Sequence, residues 1–214
     1  MKAMLRRSFV ALPLTLPLST ALPSLAADWL EAFGLRWSLP VPADWTVTRE
    51  DGMETLNLIT PRPKADYPRR PTQYALAETE PLGRFTLECE ARKQSPRGSL
   101  ILVYAWRDSS HFNYVHLSDD TATEQPVHNG VFHVYGGERV RISGDRGPCS
   151  LPTTGWHRIR MTYDAAAGLV ETWHDGAANP SLRAVDLSLG AGRIGIGSFF
   201  NTGSFRNVKL TRQA

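Results

Sequence analysis

Apolar and polar residues alternate along most of this chain with a period of two. Trp45-Thr46-Val47-Thr48, Thr55-Leu56-Asn57-Leu58-Ile59 and Phe85 to Ala91 show it, as do His111 to Ser118, Val131 to Tyr135, Trp156 to Tyr163 and Leu169 to Trp173. Successive side chains of a strand point to opposite faces, so each run predicts a strand with one apolar face. Ser99 to Trp106 is more continuously apolar and predicts a central strand. Asp51-Gly52, Gly136-Gly137 and Asp175-Gly176 predict hairpin turns between or after such runs. Only Asp28 to Leu35 has helical spacing, and it is short. Pro61 to Pro71 holds four prolines among Arg62, Lys64, Arg69 and Arg70, which predicts a loop or an edge connection.

Many short strands with closely spaced turns, no internal repeat and no Gly/Ser-rich linker predict an all-β fold, a jelly-roll β-sandwich, as a single domain over 28–214. Residues 1–27 read differently. Lys2, Arg6 and Arg7 precede an uncharged stretch from Ser8 to Leu25 that ends in Ser24-Leu25-Ala26-Ala27, the pattern of a cleaved signal peptide. Pro13, Pro17 and Pro23 argue against a transmembrane helix, since proline costs about 3 kcal/mol in a helix interior. Arg6-Arg7-Ser8-Phe9-Val10 is similar to a twin-arginine motif, and an ordinary secretory signal fits as well. The expected location is periplasmic or extracellular.

The signal changes the charge balance. It carries three of the 24 basic residues and none of the 21 acids, so its removal leaves 21 of each. A nucleic-acid partner needs a basic stripe to neutralise phosphates, and a neutral domain argues against one. Cys89 and Cys149 are the only cysteines. An oxidising compartment permits a bridge between them, and a buried free thiol at Cys89 is the other reading.

The C-terminal half carries a resemblance. Gly155-Trp156-His157-Arg158-Ile159-Arg160, the hairpin Gly168 to Gly176, and the closing runs Gly192 to Phe199 and Gly203 to Leu210 resemble, in that order, strands of concanavalin A-like lectin/glucanase domains. The ending is similar to laminin-G-like and 3-keto-disaccharide hydrolase-like domains. His111 to Leu117, His128 to Val134 and Arg139 to Ile142 resemble a subgroup of these exported sandwiches for which no catalytic residues can be carried over. The resemblance implies a concanavalin A-like fold and a carbohydrate partner.

Four of the six histidines fall between positions 111 and 133. Pairing of the strands there, covered by the end of the 99–106 strand, predicts a groove lined by Tyr104, Trp106, Tyr114, His116 and His133. Aromatic rings would stack on sugar C–H faces, and His and Arg would bond hydroxyls or carboxylates. The candidate catalytic residues are His116, His128, Tyr114 and Arg139. The candidate binding residues are Tyr104, Trp106, Asn129, His133, Tyr135 and Arg141. A lyase would use His116 or Tyr114 as base with Arg139 or Arg141 as electrostatic stabiliser. A glycoside hydrolase needs two carboxylates at fixed separation, and the E-x-D-x-x-E strand of sandwich glucanases is absent. Glu88 and Glu90 share a face opposite Leu87 and Cys89 and predict a solvated edge. A non-catalytic glycan-binding or adhesion module of laminin-G type is the reading from another class.

No cofactor is signalled by a motif. A metal on His116, His128 and Asp119 or Asp120 lacks a recognised ligand spacing, and a loop-bound calcium has no identifiable position. No G-x-S-x-G elbow, Walker loop or H-E-x-x-H helix occurs. His174 and Asp175 are adjacent, so they point to opposite faces and suit a turn better than a catalytic dyad.

Overall fold

The computed structural model describes residues 28–63 and 68–213. The signal segment read at 1–27 lies outside the described residues, as does the middle of the proline-rich connection. The strands are β1 Trp29–Ala32, β2 Leu35–Ser38, β3 Trp45–Glu50, β4 Met53–Leu58, β5 Gln73–Ala77, β6 Arg84–Lys93, β7 Ser99–Asp108 and β8 His111–Ser118. They continue as β9 Gly130–Tyr135, β10 Arg139–Arg141, β11 His157–Asp164, β12 Leu169–His174, β13 Ala177–Ala178, β14 Ala184–Val185, β15 Arg193–Ser198 and β16 Gly203–Arg212. Sheet I has the order β1-β2-β5-β15-β7-β8-β9-β10. Sheet II has the order β13-β12-β11-β6-β16-β4-β3, with β14 beside β12. Every pairing is antiparallel, so the molecule is the all-β sandwich that the alternation predicts.

The core is made by the inward faces of both sheets. Leu56, Phe85, Leu87, Met161 and Phe205 of sheet II meet Leu100, Leu102, Tyr104, Val115 and Ile196 of sheet I, all buried. Each such side chain contributes about 1.5–3 kcal/mol by leaving water. Tyr163 stands 4.8 Å from Tyr104 and 5.8 Å from Phe85, ring centre to ring centre, and its hydroxyl donates to the Gly190 carbonyl at 2.8 Å. The sequence G-I-G along β15 serves close approach: a Cβ at Gly197 would stand 2.1 Å from the Gln73 carbonyl oxygen of β5.

Two expectations change, and the open alternative for the cysteines closes. Asp28 to Leu35 is no helix. It forms most of the β1–β2 hairpin, turned by Phe33 and Gly34 at φ of 59° and 70°. Phe33 hides the turn signal, because a left-handed backbone on a bulky residue is uncommon. The Glu88/Glu90 strand is β6, in the interior of sheet II, so those carboxylates stand on a solvated face and not at an edge. Both cysteines are free thiols. Cys89 lies in the core, where burial pushes its thiol up to about 12, and Cys149 is half-buried in a loop.

Candidate functional site

The outer face of sheet I is buried too. Alternation turns Phe112 and Tyr114 of β8 away from the sandwich core, and Ile101 and Val103 of β7 follow them. With Tyr74, Phe132, Val134 and Phe199 they form a second apolar cluster. His116 is the next outward residue of β8. Beside it opens a pocket of about 240 Å³, bounded by His116, His128, Arg139, Arg69, Phe199 and the Arg97/Asp119/Asp120 group.

His116 is 1% exposed. Its Nδ1 stands 3.0 Å from the Val127 carbonyl, which can only accept, so that nitrogen carries the proton. Its Nε2 is buried without a hydrogen-bond partner. Burial first, then the Arg139 and His128 charges, push its pKa well below the ordinary imidazole value, so the ring is neutral. The ring of His128 is 5.2 Å away, edge to face. Asp120 holds His128 through Nδ1 at 2.9 Å, which leaves Nε2 as the nitrogen available to a ligand.

The loop between β8 and β9 sets these positions. Asn129, at φ 42°, is wholly buried. Its amide donates to Pro148 O and Ser181 Oγ, each at 2.8 Å, and its oxygen accepts from Ser150 N and Oγ. Arg141 lays its guanidinium across the carbonyls of Pro126, His128, Asn129, Ser143 and Gly144. Both residues therefore tie down the loop that carries Val127 and His128, and neither presents a free polar group to a substrate.

Arg139 of β10 donates to the Tyr114 hydroxyl at 3.0 Å, and its guanidinium lies over the rings of Phe132 and Phe199 at 4.8 and 4.4 Å. Arg69 reaches the same place from the proline-rich connection, where its carbonyl accepts from Arg139 N. Its Nε is buried and unpartnered. Neither arginine has a carboxylate partner among the described residues. Tyr114 is fully buried and does not line the pocket; burial raises its pKa, opposed by the Arg139 and Arg69 charges. Arg97, by contrast, is neutralised: it pairs with Asp120 at 2.8 Å and Asp119 at 3.5 Å.

The structure therefore brings His116, His128 and Arg139 together at one pocket, with Tyr114 beneath Arg139. It disperses the other candidates. Tyr104 faces the inter-sheet core, where its hydroxyl makes no hydrogen bond. A bulge after it, with Ala105 at φ 50°, breaks the alternation, so Trp106 packs on the outer cluster instead of sharing a face with Tyr104. His133 pairs in register with Asn113, so it points opposite to His116, and its Nδ1 meets Asn113 Oδ1 and Asp186 Oδ2, each at 2.9 Å. Tyr135 is 61% exposed and stacks on His133, away from the pocket. The groove of Tyr104, Trp106, Tyr114, His116 and His133 on one face is thus not formed.

Arg69, Arg97 and Phe199 were not among the sequence candidates. The adjacent arginines of the proline-rich run were the available signal for Arg69. Asp119 and Asp120, weighed as metal ligands, hold Arg97 and His128 and Gly98 N instead. Among the described residues no group of three or more His, Cys, Asp or Glu is placed to hold a metal ion, and no helix is long and apolar enough to cross a membrane.

No protein-family model matches the sequence, and no curated protein does. Solved structures do resemble the fold. The carbohydrate binding module CBM66 from Bacillus subtilis aligns with a TM-score of 0.57 at 14% identity, over 81% of this chain and 94% of that one. A GH43 protein from Bacillus licheniformis aligns with a TM-score of 0.57 at 10% identity, over 89% of this chain and 38% of that one. A Bacillus subtilis protein of unknown function with a galectin-like fold aligns with a TM-score of 0.50 at 17% identity, over 87% of this chain and 90% of that one. At these identities the likeness is one of fold. It fits a concanavalin A-like or galectin-like sandwich, and none of the three is described as laminin-G-like.

Proposed function

We propose that this is an exported carbohydrate-active protein that holds a saccharide in the His116/His128/Arg139 pocket and cleaves or modifies it there. The observation that carries the reading is the buried Nε2 of His116, unpartnered at the wall of a pocket bordered by charged residues and beside a second imidazole. An unmet buried acceptor is costly, about 1–3 kcal/mol, and a ligand that supplies a donor or a proton recovers that cost. The descriptions of two fold neighbours, a carbohydrate binding module and a GH43 protein, support a saccharide as the ligand class. His116 would act as base and His128, oriented by Asp120, as acid, which is a general acid–base pair and not the carboxylate pair of most glycosidases.

The test is a panel of polysaccharides assayed for binding by calorimetry and for new chain ends by chromatography, with His116→Asn and His128→Asn alongside. The expected result is turnover lost in both variants with thermal stability retained. Saturable binding without any product would leave the glycan-binding module as the correct class. That second reading has one observation in its favour: Asp119 and Asp120 are already committed to Arg97 and His128, so no free carboxylate stands in the pocket.

A further inference from the structure

The pocket contains three guanidinium groups, from Arg69, Arg97 and Arg139, against two carboxylates, from Asp119 and Asp120. Arg97 takes both carboxylates, and Asp120 also holds His128. Arg69 and Arg139 are left without a counter-ion among the described residues. Buried or half-buried cations ordinarily find one. The Arg139 guanidinium is held over Phe132 and Phe199 by the Tyr114 hydroxyl, so its direction is fixed before any ligand arrives. Arg69 is joined to it through main chain. One guanidinium fork fixed in this way, with a second at the same pocket, matches a planar carboxylate.

Resting on the reading above, we propose that the saccharide is acidic, a uronate whose carboxylate sits between Arg69 and Arg139, and that the pocket cleaves it by β-elimination. The His116 Nε2 takes the proton from the carbon bearing the carboxylate. The C–H electron pair passes into the carboxylate-stabilised enolate, whose charge the two arginines meet. Its collapse forms a carbon–carbon double bond to the neighbouring ring carbon and breaks that carbon's bond to the glycosidic oxygen. A protonated His128 gives its proton to the departing oxygen. No water, metal or oxidant is consumed, and exchange with solvent resets the two imidazoles. The bound carboxylate also supplies the negative charge that a protonated His116 lacks in its own surroundings, where Arg139, Arg141 and His128 all disfavour the cation. Tyr114 is a positioning residue for Arg139.

The experiment uses the intact protein and four oligosaccharide probes: an oligouronate, its carboxyl-reduced counterpart, a sulfated neutral oligosaccharide and the neutral parent. Calorimetry reads binding, and ultraviolet absorbance reads the unsaturated product. The oligouronate should bind at least tenfold tighter than its reduced counterpart, and Arg69→Gln and Arg139→Gln should each remove most of that preference. Arg69→Gln keeps the comparison open if Arg139→Gln fails to fold. His116→Asn should retain oligouronate binding and lose the absorbance signal. Equal binding of acidic and reduced probes would overturn the acidic-sugar assignment while leaving a saccharide pocket. Tightest binding of the sulfated probe would overturn the carboxylate in favour of a sulfate ester. Oligouronate binding without unsaturated product in the unaltered protein would overturn the elimination. Failure of all four probes to bind would remove the saccharide reading itself.

Discussion

The outer faces of the two sheets are built on the same pleat and put to opposite uses. On sheet II, Arg92 meets Glu50 and Arg206 meets Glu90, and both guanidinium groups lie against Trp156 at 4.3 and 4.2 Å. Arg160 lies over Trp173. Cation, carboxylate and ring are matched over this face, which is how it is stabilised. On sheet I, Arg139 also lies on aromatic rings, yet neither it nor Arg69 has a carboxylate among the described residues, and His116 Nε2 has no partner at all. Two of the His–Asp pairs repeat the contrast. His157 uses both nitrogens within the protein, Nδ1 on Asp175 at 2.8 Å and Nε2 on Thr153 Oγ1 at 2.9 Å. His128 uses only Nδ1. A depression of about 320 Å³ also lies on sheet II, between Glu88, Arg158 and Trp173. Its size does not make it the site. A buried imidazole acceptor and two arginines without carboxylate partners among the described residues, gathered at one pocket, and not volume, set the candidate site apart from that depression.

This contrast can be broken at several points. The largest effect is expected for His116→Asn, which keeps a donor for Val127 and removes the base: turnover should fall about 10²–10⁴-fold with little change in melting temperature. Asn129→Ala should destabilise the fold by about 2–3 kcal/mol in urea unfolding, because it removes four buried hydrogen bonds and leaves the Ser150 hydroxyl without its acceptor. The third test is pH. His116 is neutral when folded and titrates near 6.5 when unfolded, so the unfolded chain binds the extra proton. Its contribution is complete above pH ~6.5 and is lost as the pH falls, by at most about 1.4 kcal/mol per unit. His174, also depressed by burial, acts in the same direction. Melting curves between pH 7 and 5 should steepen for the unaltered protein and flatten in His116→Asn; equal slopes would mean that His116 is not neutral when folded. On sheet II, Arg206→Gln should cost about 1–2 kcal/mol, since the pair is mostly buried, and leave ligand binding unchanged. The smallest effect belongs to Tyr104→Phe, which deletes an unbonded hydroxyl from the core and should leave stability within about 0.5 kcal/mol or slightly higher.

Alternation alone carried the fold a long way, because one-sided burial imposes period two on any sandwich strand. The Phe112-Tyr114-His116 face of β8 was legible for that reason. The errors arose where a strand departs from ideal pleating or where pairing decides the face. The Ala105 bulge separates Tyr104 from Trp106, and the Asn113–His133 register turns His133 inward. Neither has a reliable signature in one sequence. Arg141 and Asn129 look like ligand-binding residues by type, but their hydrogen bonds go to main chain, which side-chain identity does not foretell. Arg69 was missed because nothing in a proline-rich run says which strand it crosses.

The main-chain link between Arg69 and Arg139 has a consequence for how this pocket varies. Because a carbonyl and an amide make the joint, the side chains at both positions can be exchanged without undoing it. The fold thus keeps the seam closed by groups other than the two side chains that line the pocket. Under the uronate proposal, the charge preference of the pocket then rests on side chains, while the seam that places them rests on main chain.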